Sequence, residues 1–212
     1  MVDHLVYGVP ELEAGMDAVE ELFGVRPAPG GRHPHLGSHN ALLSLGPTTY
    51  LEVVAPDPSL SRPDEGTVFG LDKVTESGLV TWALRREDIE EGAKAAAATG
   101  TDLGPVLEGA RDRTDGVRLT WKLTDPYAMP MNGLVPFLIA WGDTPHPAGA
   151  APMAGRLAGI TIRHPHPEGL KSVLSALHVE VEIVAGSVPG LWARIRTRAG
   201  VVELSPAKGV IP

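Results

Sequence analysis

The sequence predicts an α+β protein built from repeated βαβββ modules folded around a small-molecule pocket. Three observations carry that expectation. The order strand, helix, further strands runs three times along the chain. Gly and Pro cluster between the periodic segments rather than inside them, so they read as turns. Finally, ELEAG at 11–15 returns as DIEEG at 88–92, at the matching point of the second unit.

In chain order, 4–10 (HLVYGVP) reads as a short strand ended by proline. Residues 11–23 place Leu12, Met16, Val19, Leu22 and Phe23 at helical spacing, with acids on the other face and Gly24 as the stop. After a Pro/Gly-rich stretch, 40–45 and 49–54 read as strands joined by Gly46-Pro47. The second unit offers a strand at 79–85, an alanine-rich helix at 89–98, and strands at 117–124 and 137–141. The third begins at Leu157 and continues with a helix at 168–177 and strands at 179–184, 191–197 and 201–204. The expected modules are therefore 1–58, 78–142 and 156–205 within a single domain, 1–212. Modules 1 and 2 can pair within the chain, which leaves module 3 to flank them or to pair with a symmetry mate, so a homodimer is expected.

Composition narrows the function classes. A formal net charge of −8 argues against a nucleic-acid partner. The local basic run from Arg111 to Arg118 is interrupted by Asp112 and Asp115. Cysteine is absent, which removes disulfides, thiolate catalysis and Cys-ligated zinc together. No apolar run approaches the length of a membrane span, and the acidic start does not read as a signal peptide, so a cytoplasmic protein without membrane contact is expected. Phosphate-loop, nucleophile-elbow, HExxH and EF-hand patterns are likewise absent from the sequence.

Several pieces are more specific: DHLVYGV at 3–9, GGRHPHLGSHN at 30–40, TYLEVVAP at 49–56, PFLIAW at 136–141 with HP at 146–147, and LAGITIRHPHP at 157–167. On these the chain resembles the glyoxalase-like domain family of the vicinal oxygen chelate (glyoxalase/bleomycin resistance/dioxygenase) superfamily. The resemblance implies a cup-shaped mixed-sheet barrel of paired βαβββ units. It also implies, for many members, a divalent metal that chelates two neighbouring substrate oxygens. By the same resemblance His4 and Glu52 match the two metal-ligand positions of a module. The ions that suit this donor set are Fe, Mn, Ni or Zn, and a metal-free site is the other outcome.

The candidate residues follow. Glu52 is a lone acid in an otherwise apolar strand, so it faces water or is held inside by a partner. In the second module the positions matching His4 and Glu52 are Thr81 and Ile139, neither a good ligand, so a third donor would have to be Glu203 of the matching VVELS. The 30–40 segment offers His33 as an acid or base beside Glu52, and Arg32 and Asn40 as substrate-binding groups; His35 reads as a solvated loop histidine. Trp82 and Trp121 fall in strands next to the module cleft and are expected to stack on a ligand, whereas Trp141 reads as core. The loop 125–132, with Tyr127, Met129 and Met131, is longer than a hairpin needs and is expected to cap the cleft. RHPH occurs at 32–35 and 163–166, at different places in the repeat, and carries no shared role.

Two function classes stand open. One is an enzyme of the vicinal oxygen chelate type (lyase, isomerase or dioxygenase) acting on a small oxygen-rich substrate, metal-dependent or with Glu52 as a general base. The other is a metal-free protein that binds or sequesters a small molecule. Convergence of His4 and Glu52 favours the first; Glu52 turned to solvent favours the second.

Overall fold

The structure is a computed structural model that describes residues 1–61, 66–112 and 116–210. The interruption of the basic run by Asp115 lies outside the described residues. The first unit comprises β1 (Val2–Gly8), α1 (Leu12–Phe23), β2 (Ala28–His33), β3 (Ser38–Ser44) and β4 (Tyr50–Pro56). The second comprises β5 (Gly78–Arg85), α2 (Ile89–Ala97), β6 (Val106–Asp112), β7 (Arg118–Thr124) and β8 (Phe137–Ala140). The third comprises β9 (Arg156–His164), α3 (Pro167–Ala176), β10 (Glu182–Ala185), β11 (Gly190–Arg196) and β12 (Val201–Leu204).

The helices form where the apolar spacing placed them. In α1 the buried Leu12, Met16, Val19 and Phe23 line one face. The Glu11 carboxylate accepts from the free N–H groups of Glu13 and Ala14, and Gly24, at φ 67°, ends the helix in the left-handed conformation. Strands β2 and β6 were not expected from the sequence. Pro29, Gly30 and Gly31 interrupt β2, Glu108 and Gly109 break the apolar pattern of β6, and such residues survive at sheet edges.

The first eight strands make one mixed sheet in the order β2-β3-β4-β1-β5-β8-β7-β6. Strands β1 and β5 pair antiparallel, so the two units join within one chain into a barrel-like sheet. The edges β2 and β6 meet without a ladder, and the Arg111 guanidinium of β6 donates across the seam to Gly30 O of β2.

The third unit repeats the order of elements but not their wiring. Its sheet runs β10-β9-β11-β12, with the strand after the helix parallel to β9 on one side and β11 antiparallel on the other. Its apolar face (Ile160, Ile162, Leu191, Ala193 and Ile195) joins the helices and the outer face of the barrel sheet in the larger core. That face is covered within the chain and needs no symmetry mate. The smaller core fills the barrel itself, around Val6, Tyr50, Val54, Phe137 and Trp141. Among the described residues no helix is long and apolar enough to cross a membrane.

Candidate active site

Strand alternation points His4, Tyr50, Glu52, Asn40 and Phe137 into the barrel, where they line a cavity of about 60 Å³. The parallel register of β1 and β4 sets His4 beside Tyr50 and Val6 beside Glu52. The His4 ring stacks on Tyr50, centroids 4.5 Å apart, and meets the edge of Phe137 at 5.4 Å. Its Nε2 stands 3.6 Å from Glu52 Oε2. The other Glu52 oxygen accepts from Asn40 Nδ2. Both His4 and Glu52 are buried, at 2% and 8% exposure.

A residue that sequence alternation hides completes this arrangement. Asp3 should face away from His4, but in the β1–β5 ladder Leu84 pairs with Val2 and Ala83 with His4, which leaves Asp3 as the extra residue of a β-bulge. Its carboxylate accepts from His4 Nδ1 at 2.7 Å through Oδ1, and from Trp141 Nε1 at 3.0 Å through Oδ2. His146 Nε2 also lies 3.0 Å from Oδ2. Burial pushes the Asp3 carboxyl up, yet the hydrogen bonds from His146 and His4 outweigh it and hold the group well below the usual carboxylate range. Asp3 is thus an anion at neutral pH.

The remaining cavity groups are chemically distinct. His33 reaches it from the end of β2, its Nδ1 3.3 Å from Ser38 Oγ, its ring edge-on to Trp121. Burial pushes the His33 imidazole down; the Glu52 charge opposes this and the Arg111 charge adds to it, so the ring is neutral near pH 7. Burial, then the charges of Asp3 and Glu52, push the Tyr50 phenol well up, so it stays protonated. Arg111 lines the cavity as a buried cation.

Of the residues singled out in the sequence, His4, Glu52, Asn40, His33 and Trp121 meet at this cavity. Arg32 does not: it lies on the outer rim, with Nε 2.7 Å from Asp57 Oδ2 and Nη2 on Ser59. Trp82 is a core residue of the opposite face, its Nε1 donating to Leu134 O at 2.9 Å. The ladder is the reason: His4 pairs with Ala83 and Leu5 with Trp82, so Trp82 shares the outward face of Leu5 rather than the face of His4. Tyr127 is half-buried on a neighbouring depression beside Met129 and Phe69. Glu203 is exposed on β12 of the second sheet. Residues missed by sequence reasoning are Asp3, Tyr50, Arg111, Phe137 and His146; the adjacency of Asp3 to His4 and the HP at 146–147 were the available signals.

The donor set does not fit the divalent ion that the resemblance implied. Within the barrel, His4 and Glu52 are the donors at the ligand positions. Thr81 is spent on Gly133 O at 3.0 Å, and Ile139 is apolar. Among the described residues no group of three His, Asp or Glu side chains is arranged to hold a metal, whereas a catalytic site ordinarily draws on three protein ligands.

Comparison with known proteins agrees with this fold. The profile of the glyoxalase-like domain matches residues 2–178. No curated protein matches the chain. Among solved structures, a hypothetical protein from Staphylococcus aureus is similar at a TM-score of 0.62 and 13% identity, covering 97% of this chain and 88% of that one. A methylmalonyl-CoA epimerase from Mycobacterium tuberculosis aligns at a TM-score of 0.41 and 20% identity, over 66% of this chain and 85% of that one. A single-residue variant of the Streptomyces coelicolor methylmalonyl-CoA epimerase, in complex with 2-nitronate-propionyl-CoA, aligns at 0.45 and 18%, over 69% and 98%. At these identities the first likeness speaks to fold alone, and the other two carry no argument about this site. The chain belongs to the glyoxalase-like domain family.

Proposed function

We propose that this glyoxalase-like chain is an enzyme that moves a proton on a small oxygen-rich substrate, with His4 and Glu52 as the paired acid and base. The observation that carries this reading is the 3.6 Å approach of His4 Nε2 to Glu52 Oε2 inside the cavity. That distance is too long for a good direct hydrogen bond and short enough for both groups to reach one substrate. With the Nδ1 proton of His4 engaged by Asp3, Nε2 presents its lone pair to the cavity.

The chemistry balances without a cofactor. His4 Nε2 or Glu52 Oε2 takes a proton from the carbon next to a carbonyl, and the C–H electron pair moves into the carbonyl to give an enolate. The proton so gained is returned to carbon by the same group or, after passing across the 3.6 Å gap, by the other. The Arg111 cation and the Tyr50 phenol line the same cavity and are proposed to steady the developing oxyanion. His33, neutral and on the rim, and Trp121 beside it are proposed to orient the substrate. The reading therefore favours isomerase or lyase chemistry, and no step is routed through a metal. A cavity of about 60 Å³ restricts the enclosed portion of the substrate to a handful of heavy atoms.

The test is a screen of small oxo and hydroxy compounds in D₂O for exchange of carbon-bound hydrogen, with Glu52→Gln as the control. Binding without turnover is the second reading, favoured by the apolar wall of Phe69, Phe137, Trp121 and Trp141. It predicts saturable binding with no exchange in any compound.

A further inference from the structure

We infer that His146 is a positioning residue for His4, acting through Asp3 from outside the cavity lining. The inference rests on the reading of His4 as a working acid–base group, and it deepens that reading by assigning a role to a histidine outside the cavity.

The hydrogen bonds fix both tautomers. His146 Nδ1 accepts from the backbone N–H of Ala148 at 3.3 Å, so its proton sits on Nε2, where it donates to Asp3 Oδ2 at 3.0 Å. Trp141 Nε1 donates to the same oxygen at 3.0 Å. With Oδ2 held by two donors, Oδ1 is left for His4 Nδ1 at 2.7 Å. The two histidines therefore carry their protons on opposite ring nitrogens: Nε2 in His146 and Nδ1 in His4. The packing reinforces this, since the His146 ring meets both Tyr50 and Trp141 edge-on, at 5.7 and 5.8 Å between centroids. Tyr50 in turn stacks on His4.

Asp3 cannot do this alone. It is the extra residue of a bulge and is 0% exposed, so its carboxylate depends on side-chain donors for its orientation. Removing His146 frees Oδ2 to turn, and His4 then loses the acceptor that holds its proton on Nδ1. The role is orientation rather than proton conduction. The Nε2 of His146 already carries a proton, and Asp3 holds its own only in strong acid.

The test is long-range ¹H–¹⁵N spectroscopy of histidine-labelled protein, which reports the protonated nitrogen of each neutral ring and needs no substrate. Wild type is expected to show His4 protonated on Nδ1 and His146 on Nε2. His146→Leu is expected to shift His4 to a tautomer mixture, and His146→Gln, which keeps an N–H donor, to restore the wild-type signal. Both histidines in the same tautomer in wild type, or an unchanged His4 signal in folded His146→Leu, overturns the inference. The wild-type comparison decides the matter even if His146→Leu does not fold. Opposite tautomers together with a blank exchange screen would instead mean that the catalytic reading fails while the positioning geometry stands.

Discussion

His4 Nε2 and Glu52 Oε2 face each other at 3.6 Å across a buried cavity, and each is held from behind by a different partner, Asp3 for the histidine and Asn40 for the glutamate. The pair sits on β1 and β4, adjacent parallel strands, so backbone pairing rather than loop conformation fixes its separation. Groups oriented in this way on rigid strands suit proton transfer.

Glu52→Gln and His4→Gln each retain a polar side chain of similar reach, and in Glu52→Gln the amide oxygen can still accept from Asn40. Both variants are expected to fold with melting temperatures close to wild type. Each should lose exchange activity by on the order of a hundredfold or more, read by NMR of the substrate in D₂O.

Asp3→Asn places an amide where an anion accepts from Trp141, His146 and His4. The expected destabilisation is about 3 kcal/mol, measured by denaturant unfolding. The pH dependence follows from the sign of the shift. A carboxyl held below its ordinary value adds stability above the unfolded-state value, about 4, and that stability drains away as pH falls towards the folded-state value. Wild type should therefore lose stability below about pH 4 more steeply than Asp3→Asn.

Gly109→Ala would drive a Cβ into the ring atoms of Trp121. The indole stands between the cavity and a surface groove of about 1010 Å³, so pushing it aside should narrow the cavity. A cost of about 1–3 kcal/mol is expected, together with a changed tryptophan emission and slower exchange.

Arg111→Leu removes the guanidinium that joins β6 to Gly30 O across the barrel seam. Amide hydrogen exchange in 28–33 should accelerate tenfold or more relative to β4, because an edge strand without its cross-seam tie opens locally. Arg32→Ala, by contrast, removes an exposed guanidinium from the buried Asp57, whose carboxylate still accepts from Ser59 N and Oγ, and should change stability by about 1–2 kcal/mol while leaving exchange activity within twofold.

Much of the fold was legible because helix spacing reports burial directly, as in α1 with Met16 and Val19, and because a short apolar run between turns marks a strand buried on both faces, as in β4. Glu52 was legible for the same reason: a lone acid in an apolar strand needs a partner, and Asn40 and His4 supply it. What alternation cannot report is a bulge. The extra residue at Asp3 brings a carboxylate onto the His4 side, and the one at Val80 shifts the register of β5 between Thr81 and Leu79. A third, at Gly30, lies against Asn40, whose Oδ1 would collide with any Cβ added there. Glu203 was placed by analogy with Glu52, but the third unit pairs its strands in a different order and leaves that side chain in solvent. Arg111 was read only as part of a basic run, because its strand is an edge with charged residues around it.

The central claim is that the His4–Glu52 pair, without a metal, performs the proton transfer. The most direct measurement is the rate of solvent-deuterium exchange into a responsive substrate, compared between wild type, chelator-treated wild type and Glu52→Gln. Exchange is expected to survive chelation at the wild-type rate and to fall at least about a hundredfold in Glu52→Gln. Exchange that disappears on chelation and returns with a divalent ion, or that persists in Glu52→Gln, would contradict it.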